Sequence, residues 1–315
     1  MSKPRVILTG GSGMVGMNIL EHNLATKYEI LAPSSKELDL LDSKATQYFI
    51  NQTEPDIIIH AAGRVGGIQA NIANPVDFLV TNIDLARNVI LAANNAGVSR
   101  LINLASSCMY PKNAPSPLNE KQILQGDLEP TNEGYALSKI FSTRLCEYIN
   151  HENEINKRFN LRYKTLIPCN LYGRHDKFQP EYSHLIPAII HKIHQAKEKG
   201  FETVDIWGDG TARREFMYAG DFAGAILQAI EEFEKLPDLM NVGIGCDYSI
   251  NEYYLIAKKV IGWNGKFVHD ISKPVGMKQK LIDIDQQRKW GWMSATSLES
   301  GIQKAYQYYL KERKK

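Results

Sequence analysis

Three glycines at fixed spacing constrain this chain more than any other feature. Arg5-Val6-Ile7-Leu8-Thr9 is β-branched and apolar and reads as a buried strand. It runs straight into Gly10-Gly11-Ser12-Gly13-Met14-Val15-Gly16, and a helical stretch from Met17 to Leu24 follows. The result is G-x-x-G-x-x-G between a strand and a helix. That spacing lets backbone N–H groups and a helix N-terminus approach a pyrophosphate. Gly10, Ser12, Gly13, Met14, Val15 and Gly16 are therefore expected to cradle a dinucleotide. A glycine-rich turn with no ligand is the plainer alternative, and the strand–turn–helix context weighs against it.

The second strand, Tyr28 to Ala32, sets the choice of dinucleotide. An enzyme that prefers NAD places an acid at its end to hold the ribose hydroxyls. Here the end reads Pro33-Ser34-Ser35-Lys36, with hydroxyls and a cation and no acid. Ser35 and Lys36 suit a 2′-phosphate, so NADP is favoured; an ordinary helix cap at Ser35 is the alternative. Asp39 and Leu40 follow beside the cofactor, ahead of a helix from Ser43 to Gln52. Asp56 to Gly63 is the third strand, and its small residues Ala61 and Ala62 allow close approach. A loop over Arg64 to Asn71 and a helix from Asn82 to Asn95, stopped by Gly97, lead to the fourth strand, Leu101 to Ala105. Leu104, Ala105, Ser106 and Ser107 lie at its C-terminal end, where open parallel sheets bind ligands. Lys164 to Pro168 is the fifth strand, and Asn170 and Leu171 leave it next to the cofactor.

This alternation argues for an α/β, Rossmann-type doubly wound parallel sheet. After Gly173 it weakens. A helix from His184 to Glu198, a strand and turn over Val204 to Gly210, a helix from Asp221 to Phe233 and a strand at Met240 to Val242 are expected. Helices near Ile250 to Ile261 and Leu298 to Lys311 complete a smaller α/β C-terminal substrate domain. The division is residues 1–173 with a returning segment at about 215–245, against 174–214 and 246–315.

The chemistry is expected on Asn132-Glu133-Gly134-Tyr135-Ala136-Leu137-Ser138-Lys139, in a helix from Gly134 to His151. Tyr135 and Lys139 stand four apart, one helical turn on one face. A free phenol titrates near pH ~10, and an ammonium beside it is expected to lower that value. Such a pair can hand a proton to a carbonyl oxygen as hydride reaches the carbon. Alone, Y-x-x-x-K is weak, since a surface tyrosine above a surface lysine has the same spacing.

Composition excludes other classes. A net charge of +2 over 315 residues gives no field for nucleic acid, and no apolar run is long enough to span a bilayer. The four cysteines, Cys108, Cys146, Cys169 and Cys246, form no C-x-x-C pair. No His or Cys spacing argues for a metal. A reducing, cytoplasmic setting is expected, with no leader segment, because the first strand begins almost at once.

Together these motifs resemble the extended short-chain dehydrogenase/reductase family. A closer similarity, to the GDP-L-fucose synthases, lies in Arg64-Val65-Gly66-Gly67-Ile68, Ser106-Ser107-Cys108-Met109-Tyr110-Pro111-Lys112, Leu128 to Glu133, Asn170-Leu171-Tyr172-Gly173 and Ser183-His184-Leu185-Ile186-Pro187. It continues in Trp207-Gly208-Asp209-Gly210-Thr211, Arg214-Glu215-Phe216 and Ser272-Lys273-Pro274. The resemblance implies NADPH-dependent conversion of a GDP-4-keto-6-deoxy-mannose to GDP-L-fucose, with epimerisation at C3 and C5 followed by reduction at C4. It implies Ser106, Tyr135 and Lys139 as the reductase triad, and Cys108 and His184 as the epimerisation pair. Lys192, Trp207, Arg214 and Lys280, with Ser107, Cys108 and Asn170, would face the GDP-sugar. Pro168, Asn170, Leu171 and His184 would touch NADP. It also implies a homodimer with two helices per subunit in the interface. The chain departs from the family at Val275, where an acid is common, and at Ser12, where some relatives carry arginine; Lys36 can compensate for the second.

The C4 ketone serves both reactions. A proton on C3 or C5 is acidic because the carbanion delocalises onto O4, where Tyr135 and Ser106 would stabilise the enolate. Thiol and imidazole titrate near ~8.5 and ~6.5, which suits Cys108 as base and His184 as acid. Lys139 would also hold the nicotinamide ribose. Two competing readings remain. One is a C4 reductase on another GDP-4-keto sugar, such as a GDP-heptose for a bacterial surface polysaccharide. The other is a non-catalytic NADP-sensing regulator, which would typically have lost the tyrosine or the lysine.

Overall fold

The computed structural model describes residues 3–158, 160–179, 183–273 and 276–313. Its strands are β1 (Arg5–Thr9), β2 (Glu29–Leu31), β3 (Ile57–His60), β4 (Arg100–Leu104), β5 (Arg162–Pro168), β6 (Asn170–Tyr172), β7 (Thr203–Trp207), β8 (Arg213–Arg214), β9 (Phe216–Tyr218), β10 (Leu239–Val242), β11 (Tyr248–Ser249), β12 (Lys266–Asp270) and β13 (Gln279–Lys280). Its helices are α1 (Met14–Leu20), α2 (Ser43–Thr53), α3 (Ile68–Ala73), α4 (Pro75–Asn95), α5 (Glu133–Ile155), α6 (Leu185–Lys199), α7 (Ala219–Glu231), α8 (Ile250–Ile261), α9 (Asp285–Trp290) and α10 (Leu298–Glu312).

The main sheet has six strands in the order β10-β5-β4-β3-β1-β2, and every neighbouring pair is parallel. Its strands are apolar on both faces, as a sheet covered on both sides requires. Ile7, Ile58, Leu101 and Tyr163 point to one side and pack with Ala86, Val89 and Ile90 of α4 and with Cys146 and Ile149 of α5. Val6, Leu8, Ile57, Ile59 and Ile102 point to the other and pack with Ile19 of α1 and with Phe222, Ile226 and Ile230 of α7. A separate core joins α6, α8 and α10 through Ile190, Ile193, Tyr253, Ala257, Ile302 and Tyr309. Short strands form three further small sheets: β6 pairs with β9, β7 with β12, and β8 lies between β11 and β13.

Several boundaries differ from expectation for visible reasons. The first helix begins at Met14, with Gly13 as its cap, and stops at Leu20; Asn23–Lys27 is a separate 3-10 turn. The long helix after the third strand starts at Pro75, not Asn82. Proline suits a first helical position, and exposed Val76 and Val80 mask the apolar period of that first stretch. The loop expected over Arg64 to Asn71 contains the short helix α3. The helix Ile250–Ile261 has the expected bounds. Ser249 and Glu252 form a capping box at its start, and Gly262, at φ 70°, ends it. No helix begins at Ser35, because Asp42 caps α2 by accepting from the N–H groups of Lys44 and Ala45.

Candidate active site

The glycine turn sits at the carboxyl ends of β1 and β3. Gly10 has φ +72°, and a Cβ there would lie 2.7 Å from the Ala62 nitrogen; one at Gly16 would lie 2.3 Å from the Gly10 oxygen. Gly13 N–H donates to Gly10 O at 3.0 Å. Met14 and Val15 open α1, whose cap Gly13 supplies no side-chain acceptor. The first N–H groups of α1 thus have no side-chain cap and face a cradle bare of side chains, which suits a pyrophosphate. Ala62 N–H donates to Thr9 Oγ1 at 3.2 Å. Beneath it, Thr9 Oγ1 meets His60 Nδ1 at 3.0 Å, and burial with the Lys139 charge pushes His60 down to about 3.

At the end of β2 the first acid, Glu37, is turned back on the chain. It accepts from Ser34 N–H at 2.8 Å, and the Ser34 hydrogen bonds hold its carboxyl below the ordinary value. Ser35 and Lys36 are exposed. Asp39 accepts from Leu41 N–H at 2.9 Å, and the Leu40 carbonyl accepts from Asn88 at 2.9 Å. The groups left facing outward are a hydroxyl and an ammonium, which fit a 2′-phosphate.

Directly beyond β4 the chain turns through a short 3-10 helix, Ser107–Met109, capped by Ser106. Ser106 Oγ accepts from Cys108 N–H at 3.4 Å, and its hydroxyl favours the anionic forms of both the Tyr135 phenol and the Cys108 thiol. Leu104, Ala105, Ser107 and Cys108 are buried. Lys139 Nζ donates to Leu104 O at 2.9 Å and stands 5.7 Å from the centroid of the Tyr135 ring. Phe78 meets that ring edge-on at 6.5 Å.

The protonation states differ from expectation at Tyr135. Burial raises its phenol, with a further rise from Cys108 and a partial offset from Ser106. Desolvation of the phenolate sets the direction and exceeds the Ser106 offset, while the Lys139 ammonium donates to Leu104 O. Lys139 is pushed down to about 8 by burial, against the opposing pull of Cys108. Burial raises the Cys108 thiol, opposed by the Lys280 charge, the Ser106 hydrogen bond and Lys139. His184 is the cap residue of α6 and is held down by burial and by the Lys177 charge. At rest the site therefore presents a protonated phenol, a protonated thiol and a neutral imidazole.

The loop Gly63 to Gly67 connects these groups. A Cβ on Gly63 would lie 3.7 Å from Lys139 Nζ, and one on Gly67 would lie 3.1 Å from Ser183 O, the residue before His184. Asn82 of α4 fixes the loop, accepting from Arg64 N–H at 2.8 Å and donating to Arg64 O at 3.1 Å.

The remaining candidates lie on β5, β6, β7, β8, β13 and α6. Trp207 is 47 % exposed, with Lys192 Nζ 5.5 Å and Lys273 Nζ 5.7 Å from its ring centroid. Lys192 also donates to Asp205 Oδ2 at 2.8 Å. Arg214 and Lys280 are cross-strand partners on β8 and β13, and burial lowers Lys280. The Asn170 amide is committed to Glu215 O at 3.0 Å, with Pro168 and Leu171 on either side of it in the chain. Val275 and Pro274 lie outside the described residues. Of the other cysteines, Cys146 and Cys169 are buried, while Cys246 is exposed. Sequence reasoning passed over Asp205 and Glu215. The alternation of Asp205 and Trp207 along β7 was a visible signal for the first; nothing local marks the second. Among the described residues no cluster of His, Cys, Asp and Glu could hold a metal, and no helix is long and apolar enough to cross a membrane.

Residues 6–243 match the NAD dependent epimerase/dehydratase family. The chain is 53 % identical to the GDP-L-colitose synthase of Yersinia pseudotuberculosis, over 98 % of this chain and 99 % of that one. It is 51 % identical to a GDP-L-fucose synthase of Azorhizobium caulinodans, over 97 % and 96 %. Among solved structures, a GDP-mannoheptose C4 reductase from Campylobacter jejuni with NADP bound superposes with a TM-score of 0.86 at 29 % identity, over 98 % and 99 % of the two chains. The chain belongs to the NAD dependent epimerase/dehydratase family, in the branch of extended short-chain reductases that holds the GDP-L-fucose synthases.

Proposed function

We propose that this protein is an NADPH-dependent epimerase/reductase that converts a GDP-4-keto-6-deoxy-mannose to GDP-L-fucose. The arrangement that carries the reading is Ser106 set beside a reductase pair and a buried thiol: its Oγ accepts from Cys108 N–H at 3.4 Å, and the residue weighs on the electrostatics of both the Tyr135 phenol and the Cys108 thiol. One ketone oxygen held there is shared by proton transfer and by reduction. The 51 % identity to a GDP-L-fucose synthase supports the choice of substrate.

Ser106 and Tyr135 hold O4 by donating to it. That polarises the ketone and stabilises the enolate formed when a proton leaves C3 or C5. Transfer of one proton from Cys108 to His184 produces the thiolate base and the imidazolium acid that inversion needs. The Lys280 charge supports the thiolate. Cys108 takes the proton from carbon, and His184 returns one to the opposite face. Bound NADPH supplies the hydride for C4. Tyr135, kept as a phenol by burial, then gives its proton to O4, while Lys139 supports the developing phenolate and holds the nicotinamide ribose. The glycine turn takes the pyrophosphate, and Ser35 and Lys36 take the 2′-phosphate. Trp207, Lys192, Arg214 and Lys280 hold the GDP, the guanidinium suiting a diphosphate. Residues 174–214 and 246–315 form the substrate part of the molecule, and 1–173 with 215–245 the cofactor part.

A second reading, a related GDP-4-keto sugar, is favoured by the 53 % identity to a GDP-L-colitose synthase and by the likeness to heptose reductases. The protein acts in the cytoplasm, in keeping with its unpaired cysteines. It is a homodimer through α4 and α5, where Val76, Val80, Leu91, Leu137, Tyr148 and Ile155 are exposed; a monomer by light scattering would remove that assignment. The substrate test is NADPH consumption in D2O with GDP-4-keto-6-deoxy-D-mannose and a GDP-4-keto-heptose, products read by NMR. Turnover of the first with deuterium at C3 and C5 is expected. Preference for the heptose, or reduction without deuterium, would overturn the leading reading.

A further inference from the structure

Glu215 is 1 % exposed, and among the described residues it forms no ion pair. Its carboxylate is instead surrounded by backbone. Oε1 accepts from Ile244 N–H at 2.7 Å and Gly245 N–H at 2.9 Å, and Oε2 accepts from Ile282 N–H at 2.9 Å. Its own main chain is engaged as well: Glu215 N–H donates to Lys280 O at 3.2 Å, and Glu215 O accepts from Asn170 at 3.0 Å. One residue thus joins the segment leaving β5, the loop after β10 and the strand β13. Gly243 gives the carboxylate room, since a Cβ there would lie 2.3 Å from Glu215 Oε1.

Burying a carboxylate without a cation is costly, and an apolar side chain of similar size would pack there at less expense. Burial raises this carboxyl to about 7 despite the three N–H donors. The arrangement needs a purpose beyond packing. The β8–β13 pairing spans only Arg213↔Gln279 and Arg214↔Lys280. Two residue pairs are too few to hold a register on their own. Glu215 follows Arg214 directly and grips the segment leaving β13 at Ile282, two residues beyond Lys280.

We propose that Glu215 is a positioning residue for the nucleotide-sugar: by tying β13 and the loop after β10 to the end of β8, it sets Arg214 and Lys280 side by side at the diphosphate. The proposal rests on the reading of Arg214 and Lys280 as GDP-sugar contacts. Glu215 itself touches no reactant. Its glutamine variant keeps the volume but turns an NH2 against backbone N–H groups.

The test compares Glu215→Gln with Gln287→Met in the full-length protein. Gln287 holds the same loop from its other side, accepting from Gly243 N–H at 2.7 Å and donating to Gly243 O at 3.0 Å, with no hydrogen bond to β13 among the described residues. For Glu215→Gln the expected result is a KM for the GDP-keto sugar raised at least tenfold, with kcat within threefold and NADPH affinity within twofold of wild type. Gln287→Met is expected to lower the melting temperature and leave that KM unchanged. Equal rises in KM for both variants, or a Glu215→Gln protein with normal KM, would overturn the proposal. Should Glu215→Gln not fold, hydrogen exchange of the wild-type protein decides, with GDP as the probe. GDP is expected to slow exchange in peptides carrying Ile244, Gly245 and Ile282. Binding of GDP without that protection overturns the role of Glu215. Absence of GDP binding overturns the assignment of Arg214 and Lys280 and the proposal with it.

Discussion

Lys139 donates across the site to the carbonyl of Leu104, 2.9 Å away, so the ammonium of the tyrosine helix is anchored to the last residue of β4. The bond fixes the height of Lys139 above the sheet and leaves its remaining protons for the ribose and the phenol. Burial holds it at about 8. The working form is the ammonium, so kcat/KM for NADPH is expected to fall as pH rises through about 8. Lys139→Met is expected to cost at least a hundredfold in reduction and to abolish that limb. A limb that persists in Lys139→Met would belong to another group.

Tyr135→Phe removes the proton donor and keeps the ring against Phe78. The fold and the melting temperature are expected to stay near wild type, while C4 reduction falls by about a hundredfold or more, in the range of a lost general acid. Single-turnover NADPH oxidation at 340 nm checks this. Retained reduction would give the proton to Ser106 instead.

Cys108→Ser keeps the size of a buried side chain and raises the barrier to forming an anion. Deuterium exchange at C3 and C5 is expected to be lost, while some C4 reduction remains. Because burial raises the resting thiol, alkylation of Cys108 by iodoacetamide in the ligand-free protein is expected to be slow at neutral pH and to rise with pH, as peptide mass spectrometry would show. Exchange that survives in the serine variant would remove Cys108 as the base.

Ser35→Asp places an acid where Glu37 cannot act, since Glu37 is bound to Ser34. NADPH affinity is expected to fall and NADH affinity to rise, shifting the preference about tenfold or more, the worth of one charge-assisted hydrogen bond. An unchanged ratio of the two KM values would place the 2′-phosphate elsewhere.

Gly16→Ala puts a methyl group 2.3 Å from the Gly10 carbonyl. Backbone must move to accept it, so both NADPH affinity and melting temperature are expected to fall together, by about tenfold and several degrees. Fluorescence titration and calorimetry measure the two. Wild-type affinity in this variant would show that the turn is not the pyrophosphate site.

The sequence by itself determined the parts of the protein whose causes are local. Strands β1 and β3 are mostly apolar runs, while Asn103 interrupts β4 and Lys164 and Thr165 interrupt β5. The glycine turn follows from backbone space, α8 from its capping box and Gly262, and the tyrosine–lysine pair from helical spacing. Tertiary structure decided what depends on distant partners. The start of α4 was hidden because its first turns face outward. The phenol of Tyr135 is raised rather than lowered, because the dielectric around it is set by Phe78, Cys108 and the walls of the site, which come from other segments. Glu215 reads as an ordinary acid in a short motif. Its role appears only when residues 29, 30 and 67 positions further along the chain bring their N–H groups to its carboxylate. Local sequence specifies periodicity and turns. Burial and the choice of hydrogen-bond partner are properties of the assembled cores, since each depends on atoms brought together only when the sheet closes.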